Sequence, residues 1–133
     1  MSEPFYILDT NVVSDIIADR PSTMGYVQRF QPSQLLLPYP VSFEILHGLT
    51  LKDAVKQRSK YESLLNLLLT PLPLVFEDWK LAAQLWADMR RTGKQLSDMD
   101  LLIAAMTLRL EAVLVTSDLD FVPLGITTEN WRS

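Results

Sequence analysis

The sequence predicts an α/β domain: an open, mainly parallel β-sheet flanked by helices on both faces. Three observations predict it. Short apolar runs alternate with helical segments along the whole chain. Those runs are continuous rather than period-two, as in strands buried on both sides. The chain has 133 residues with no repeat, linker or low-complexity stretch, which makes residues 1–133 one domain.

The elements follow in order. Residues 5–8 form an apolar run that stops at Asp9-Thr10-Asn11, a strand followed by a helix start. A helix is predicted over 12–18, closed by Pro21-Ser22, and a second over 23–30. The run 35–37 between Pro32 and Pro38 is the second strand, and helical spacing resumes over 41–49. A longer helix is predicted over 52–69, and a third strand over 74–76 after Pro71 and Pro73. Leu81, Ala82, Leu85, Trp86 and Met89 share one face of a helix over 78–91. Gly93 ends that helix, after two arginines suited to the negative end of its dipole. Ser97 opens a helix through 110, residues 112–115 are a strand, and 125–128 form a closing edge strand.

Composition narrows the function. With 48% hydrophobic and 21% charged residues the chain is an ordinary globular one. Zero cysteines exclude a disulfide scaffold, a zinc ribbon and thiol catalysis. Met1-Ser2-Glu3-Pro4 has no basic n-region, and the most apolar stretch, 64–76, is broken by Asn66, Thr70, Pro71 and Pro73. The expectation is a cytoplasmic protein with no membrane partner. Sixteen acids against twelve bases give a net charge of −4, the wrong sign for a generic nucleic-acid binder. Contact with nucleic acid then requires a bound cation or a local basic patch.

Four acids stand in apolar surroundings. Asp9 ends the first strand, Glu44 interrupts an apolar helix, Asp100 opens the run 101–106, and Asp118 follows the strand at 112–115. In open parallel sheets, ligands bind beyond the carboxyl ends of the strands, where chain order reverses. Asp9 and Asp118 lie past such ends, and Asp100 and Glu44 lie early in helices that start at that edge. Carboxylates gathered there repel one another unless a cation neutralises them. Oxygen donors without Cys or a His cluster favour hard Mg²⁺ or Mn²⁺ over zinc. Each acid also has a plainer reading. Asp9 is placed to cap a helix, Glu44 to turn outward, Asp100 to complete a Ser97-x-x-Asp100 capping box, and Asp118 to be a loop acid. Asp98 and Asp120 compete for the same roles. Asp98 and Asp100 point about 200° apart on a helix, so one of them faces the cleft, and Asp100 borders the apolar run more closely.

Other features carry less. His47, the single histidine, follows Glu44 by three residues, half of a di-iron pattern whose other half is missing, and reads as partly buried and without catalytic duty. Four glycines form no phosphate-binding loop. Lys52, Lys56 and Lys60 form one stripe with Arg58 nearby, and Arg90, Arg91 and Lys94 a second cluster; each suits an RNA backbone or a solvated helix face. Tyr61, Leu64, Leu65, Leu68 and Leu69 exceed one narrow stripe, which suggests a dimer surface.

FYILDTNVV at 5–13 resembles the opening of PIN-domain nucleases, an apolar strand ending in Asp-Thr-Asn. SFEILHG at 42–48 resembles the family's Ser-x-Glu-x-x-x-Gly segment, and DLLIAAM at 100–106 its Asp-x-x-Ile-Ala-Ala helix. LVTSDLDF at 114–121 resembles its strand-Thr-x-Asp/Asn-x-x-Phe segment, and 125–131 its closing strand. The four motifs, in order over nearly the whole chain, are most similar to VapC-type toxins of bacterial toxin–antitoxin pairs. The resemblance implies a Mg²⁺- or Mn²⁺-dependent endoribonuclease, usually a homodimer, held inactive by a small antitoxin. It implies Asp9, Glu44 and Asp100 as core metal and catalytic acids and Asp118 as a variable fourth. Asn11 and Thr116 match supporting polar positions. Contact with DNA would come through the antitoxin, since this chain has no basic recognition helix.

Two readings compete. A haloacid-dehalogenase-like phosphatase needs a second Asp where Asn11 stands and a downstream lysine before a suitable strand, where this chain has none. A PIN-like module retained for binding, within an antitoxin and DNA repressor complex, would not need all four acids.

Overall fold

The structure, a computed structural model, describes residues 3–132. Five strands form one all-parallel sheet: β1 (Tyr6–Leu8), β2 (Leu35–Pro38), β3 (Thr70–Leu72), β4 (Val113–Val115) and β5 (Thr127–Glu129). Their order is β3-β2-β1-β4-β5, so β1 is central and chain order reverses on either side of it. Tyr6 pairs with Leu35 on one side and Val113 on the other, and Leu8 pairs with Val115. Ile7 and Leu8 point to opposite faces and both are fully buried, so helices cover the sheet on both sides.

Six α-helices complete the fold: α1 (Thr10–Ile17), α2 (Pro21–Val27), α3 (Tyr39–Leu51), α4 (Val55–Leu67), α5 (Phe76–Arg91) and α6 (Asp98–Arg109). α1 starts at Asp9, whose side chain accepts from the Thr10 N–H, and α2 starts with Pro21, whose fixed φ suits a first turn. Ser97 caps α6 through the Asp100 N–H. Val41, Ile45, Leu101, Ile103, Ala104 and Met106 fill the core beside Ile7, Leu8, Leu114 and Val115.

Several boundaries differ from the sequence reading, and four of the differences have a clear physical cause. β3 is Thr70–Leu72, not 74–76; at a sheet edge the missing N–H of Pro71 costs no ladder bond. Residues 74–76 instead lead into α5, because the Asp78 side chain accepts the Val75 N–H at 2.9 Å and starts the helix there. The helix expected from Lys52 begins at Val55, after Asp53 turns the chain at φ 53°. β5 is Thr127–Glu129 rather than 125–128, since Gly125, at φ 72°, ends a 3-10 turn over Leu119–Leu124.

The supposed dimer surface is also corrected. Tyr61, Leu64 and Leu69 are buried in the chain's own core, with Leu65 and Leu68 packed against it. His47 is exposed rather than partly buried, and lies edge-on to Phe43 at 5.1 Å. The stripe on α4 is in part an ion-pair face, since Lys60 pairs with Asp19.

Two acids that drew no notice in the sequence are buried. Asp78, 0% exposed, ion-pairs with Arg109 at 2.6 Å across α5 and α6. Asp15 on α1 takes Arg132 at 2.7 Å and Arg20 at 3.5 Å. The C-terminal segment that carries Arg132 is anchored by Trp131, stacked on Tyr26 at 5.2 Å and Phe30 at 5.8 Å. Asp78→Ala removes both the Arg109 partner and the Val75 acceptor. It is expected to lower the unfolding free energy by about 3 kcal/mol in urea titration, because it strands a partly buried guanidinium.

Candidate functional site

The site grows from the register of β1 and β4. Leu8 lies opposite Val115, so the residues that follow, Asp9 and Thr116, leave the sheet side by side at the point where chain order reverses. The Asp9 N–H continues the ladder to the Val115 carbonyl at 3.0 Å. Asp9 is 5% exposed, and a carboxylate so buried needs hydrogen-bond donors. It has three. Thr10 N–H donates to Oδ1 at 2.8 Å, while Thr116 Oγ1 at 2.7 Å and Asn11 Nδ2 at 3.1 Å donate to Oδ2. Thr116 is held in turn, its hydroxyl accepting from Asn11 Nδ2 at 3.3 Å and from the Asp118 N–H at 3.0 Å. Asn11 also accepts from the Ser117 N–H at 3.2 Å. Asp9, Asn11 and Thr116 therefore form one interlocked unit.

The other acids approach this unit from three further elements. Glu44, early in α3 and half-buried, accepts from Thr10 Oγ1 at 3.2 Å. Asp100, in the first turn of α6, is half-buried beside them. Asp118 starts the 3-10 turn and accepts from the Asp120 N–H at 2.9 Å, so one of its oxygens serves the loop. Asp98 is exposed and lines a separate groove of about 310 Å³ with Trp79 and Trp86. Asp120 is exposed in the turn.

Electrostatics ties the four together. Burial pushes the Asp9 carboxyl above the ordinary aspartate value, and the charge of Asp118 adds to that. Hydrogen bonds from Thr116, Thr10 and Asn11 oppose the rise. Asp100 is pushed up to about 6, by burial first and then by the charges of Asp9, Glu44 and Asp118, against a hydrogen bond with Ser97. Among the described residues no Lys or Arg pairs with any of the four, whereas buried Asp15 and Asp78 each have an arginine. Their negative charge is left uncompensated by the chain.

The donor set fits a hard divalent cation, since it holds carboxylate oxygens with neither thiolate nor imidazole. Among the described residues no three acidic or histidine side chains converge tightly enough to chelate an ion as they stand. Thr10 and Ser117, which lie inside the motifs at 5–13 and 114–121 but carry no assigned role there, join this shell. Their contacts run through a hydroxyl to α3 and through a backbone N–H, and local spacing does not reveal either contact.

A PIN-domain model matches residues 6–125. The chain belongs to the PIN-domain family. Solved structures share this fold. A chain of VapBC2 from Rickettsia felis, bound to a DNA fragment from its promoter, superposes with a TM-score of 0.86 at 22% identity, covering 96% of this chain and 99% of that one. DNA-bound VapBC from Salmonella typhimurium gives 0.86 at 21% identity, with 98% and 100% covered. FitAcB from Neisseria gonorrhoeae gives 0.80 at 22% identity, with 96% and 98% covered. No curated protein sequence matches the chain. Among the described residues no helix is long and apolar enough to cross a membrane.

The pKa of Asp100 sets a test of this cluster. A carboxyl at about 6 in the folded chain against 3.8 unfolded costs stability above pH 6 and nothing below about pH 4. In EDTA at pH 8, Asp100→Asn is expected to raise the melting temperature. Because Asp100 is half-exposed, the gain is discounted to about 1 kcal/mol, on the order of 4 °C, and it disappears by pH 4. Thermal melts across that range measure it.

Proposed function

We propose that this PIN domain is a Mg²⁺- or Mn²⁺-dependent endoribonuclease, the toxin of a toxin–antitoxin pair. Family membership supports hydrolysis of nucleic acid. The observation that carries the finer reading is the set of four carboxylates at the sheet's switch point, mutually repelling and without a basic partner among the described residues. Such a set costs stability and gains nothing until a cation and a phosphate arrive.

Asp9, Asp100 and Glu44, with Asp118 as the fourth, would hold the ion. When bound, it lowers the pKa of water and offsets charge on the phosphoryl oxygens. The chain's own part is orientation. Asp9 is fixed by three donors, so its geometry is set before substrate binds. Glu44 is anchored through one oxygen to Thr10, which leaves the other for the proton of the attacking water. Asp118 shares that orienting role from the opposite side. The new P–O bond forms as the P–O3′ bond breaks in line, and the leaving 3′ oxygen takes up a proton.

The partner assignment draws on neighbours in fold that include toxin–antitoxin proteins and two DNA-bound VapBC structures. We assign this chain a small antitoxin partner and a homodimeric state. With a net charge of −4 it would reach DNA through that antitoxin.

Cleavage of labelled single-stranded RNA by purified protein, in EDTA, Mg²⁺ or Mn²⁺, tests the proposal. Cutting is expected with metal and not with EDTA. Asp9→Asn and Asp100→Asn are each expected to lose on the order of 10³-fold in rate while keeping the native circular dichroism spectrum. Full activity in Asp100→Asn overturns the site, and silence with every metal favours a module that only binds antitoxin.

A further inference from the structure

The buried Asp15 has one cation too many. Arg132 satisfies it with two hydrogen bonds, Nε to Oδ2 at 2.7 Å and Nη2 to Oδ1 at 3.1 Å. This bidentate pair is a complete partner for one carboxylate. Arg20 stands at 3.5 Å from the same group with its side chain 58% exposed. Among the described residues nothing accepts a hydrogen bond from its terminal nitrogens. The two guanidiniums line a cleft of about 320 Å³ with Pro21, Ser22 and Thr23, and carry a net positive charge in a chain of net −4.

The cleft is braced by side-chain contacts and joined to the acidic edge. Stacked Trp131 fixes the segment bearing Arg132, and Ser22 Oγ donates to the Trp131 carbonyl at 2.6 Å. Arg132 Nη1 donates to Ser117 Oγ at 3.3 Å. The Ser117 N–H reaches Asn11 at 3.2 Å, and Asn11 reaches Asp9 at 3.1 Å. Thus the guanidinium lies three hydrogen-bonded steps from the Asp9 carboxylate. Anchored arginines with donors to spare suit the oxygens of a phosphodiester, and a strand crossing the acidic edge needs positive charge beside it.

We infer that this cleft is a phosphate subsite, in which Arg20 and Arg132 hold a backbone phosphate of the RNA strand next to the cleavage site. The inference rests on the nuclease reading. Arg20 contributes direct contact, and Arg132 both contact and the link to Ser117.

The test is fluorescence anisotropy with a short labelled single-stranded RNA and Mg²⁺, in the Asp9→Asn background so that the strand stays uncut. Arg20→Gln leaves Asp15 held by Arg132. It is expected to weaken binding about tenfold and to flatten the slope of log K against log salt by about 0.7, the loss of one single-strand phosphate contact. Arg132→Lys keeps the charge and is expected to keep the slope. Lys80→Gln, on α5, is expected to change neither quantity. Unchanged affinity and slope in folded Arg20→Gln overturns the subsite, as does an equal loss in Lys80→Gln, which marks a diffuse basic surface. Where the native chain cuts RNA but Arg20→Gln binds normally, the subsite alone falls. A native chain that neither binds nor cuts RNA removes the nuclease reading and the subsite together.

Discussion

The buried carboxylate of Asp9 is the constraint on which the rest of the site depends. A charged group at 5% exposure is tolerated only where donors surround it. Two of those donors come from distant parts of the sequence or from the turn that follows. Thr116 supplies its hydroxyl only because β4 lies parallel to β1 with Leu8 opposite Val115. Asn11 bridges both sides from the first turn of α1. Sheet order, strand register and the start of α1 are therefore coupled through one side chain. A slip of one residue between β1 and β4 would leave Asp9 charged, buried and short of donors.

The chain treats its buried acids in two ways. Asp78 and Asp15 are neutralised by Arg109 and Arg132, and they tie α5 to α6 and α1 to the C-terminal segment. Such pairs fix geometry, since leaving one partner unpaired costs far more than the pair contributes. Asp9, Glu44, Asp100 and Asp118 come from four elements at one edge of the sheet and receive no arginine or lysine among the described residues. Asp100 is pushed up to about 6 by its burial first and by the charges of Asp9, Glu44 and Asp118 after that. Local instability of this kind persists where an external ligand is to relieve it, which is how binding sites trade stability for function.

Much of the site was readable because its chemistry sits at fixed offsets from local signals. A continuous apolar run ending in Asp9, an acid inside the apolar stretch around Glu44, and Ser97 three residues before Asp100 are all patterns of neighbouring residues. The edge strand was not readable. Thr70–Leu72 contains a proline, and only its place at the rim of the sheet makes that harmless. The start of α5 was also hidden, because the residue that sets it, Asp78, does so while buried against an arginine 31 positions away.

By itself the sequence determined the fold class and the order of most elements, and it singled out four acids as candidates for the site. Each follows from local hydrophobic periodicity and from polar residues set against it. The tertiary structure decided which oxygens receive hydrogen bonds, which acids are neutralised and which remain charged together. It also decided that Tyr61 and Leu64 fill the core and that Arg20 and Arg132 share one carboxylate. These outcomes depend on contacts between residues far apart in the chain, whose partners are chosen by packing and register. No local pattern records them.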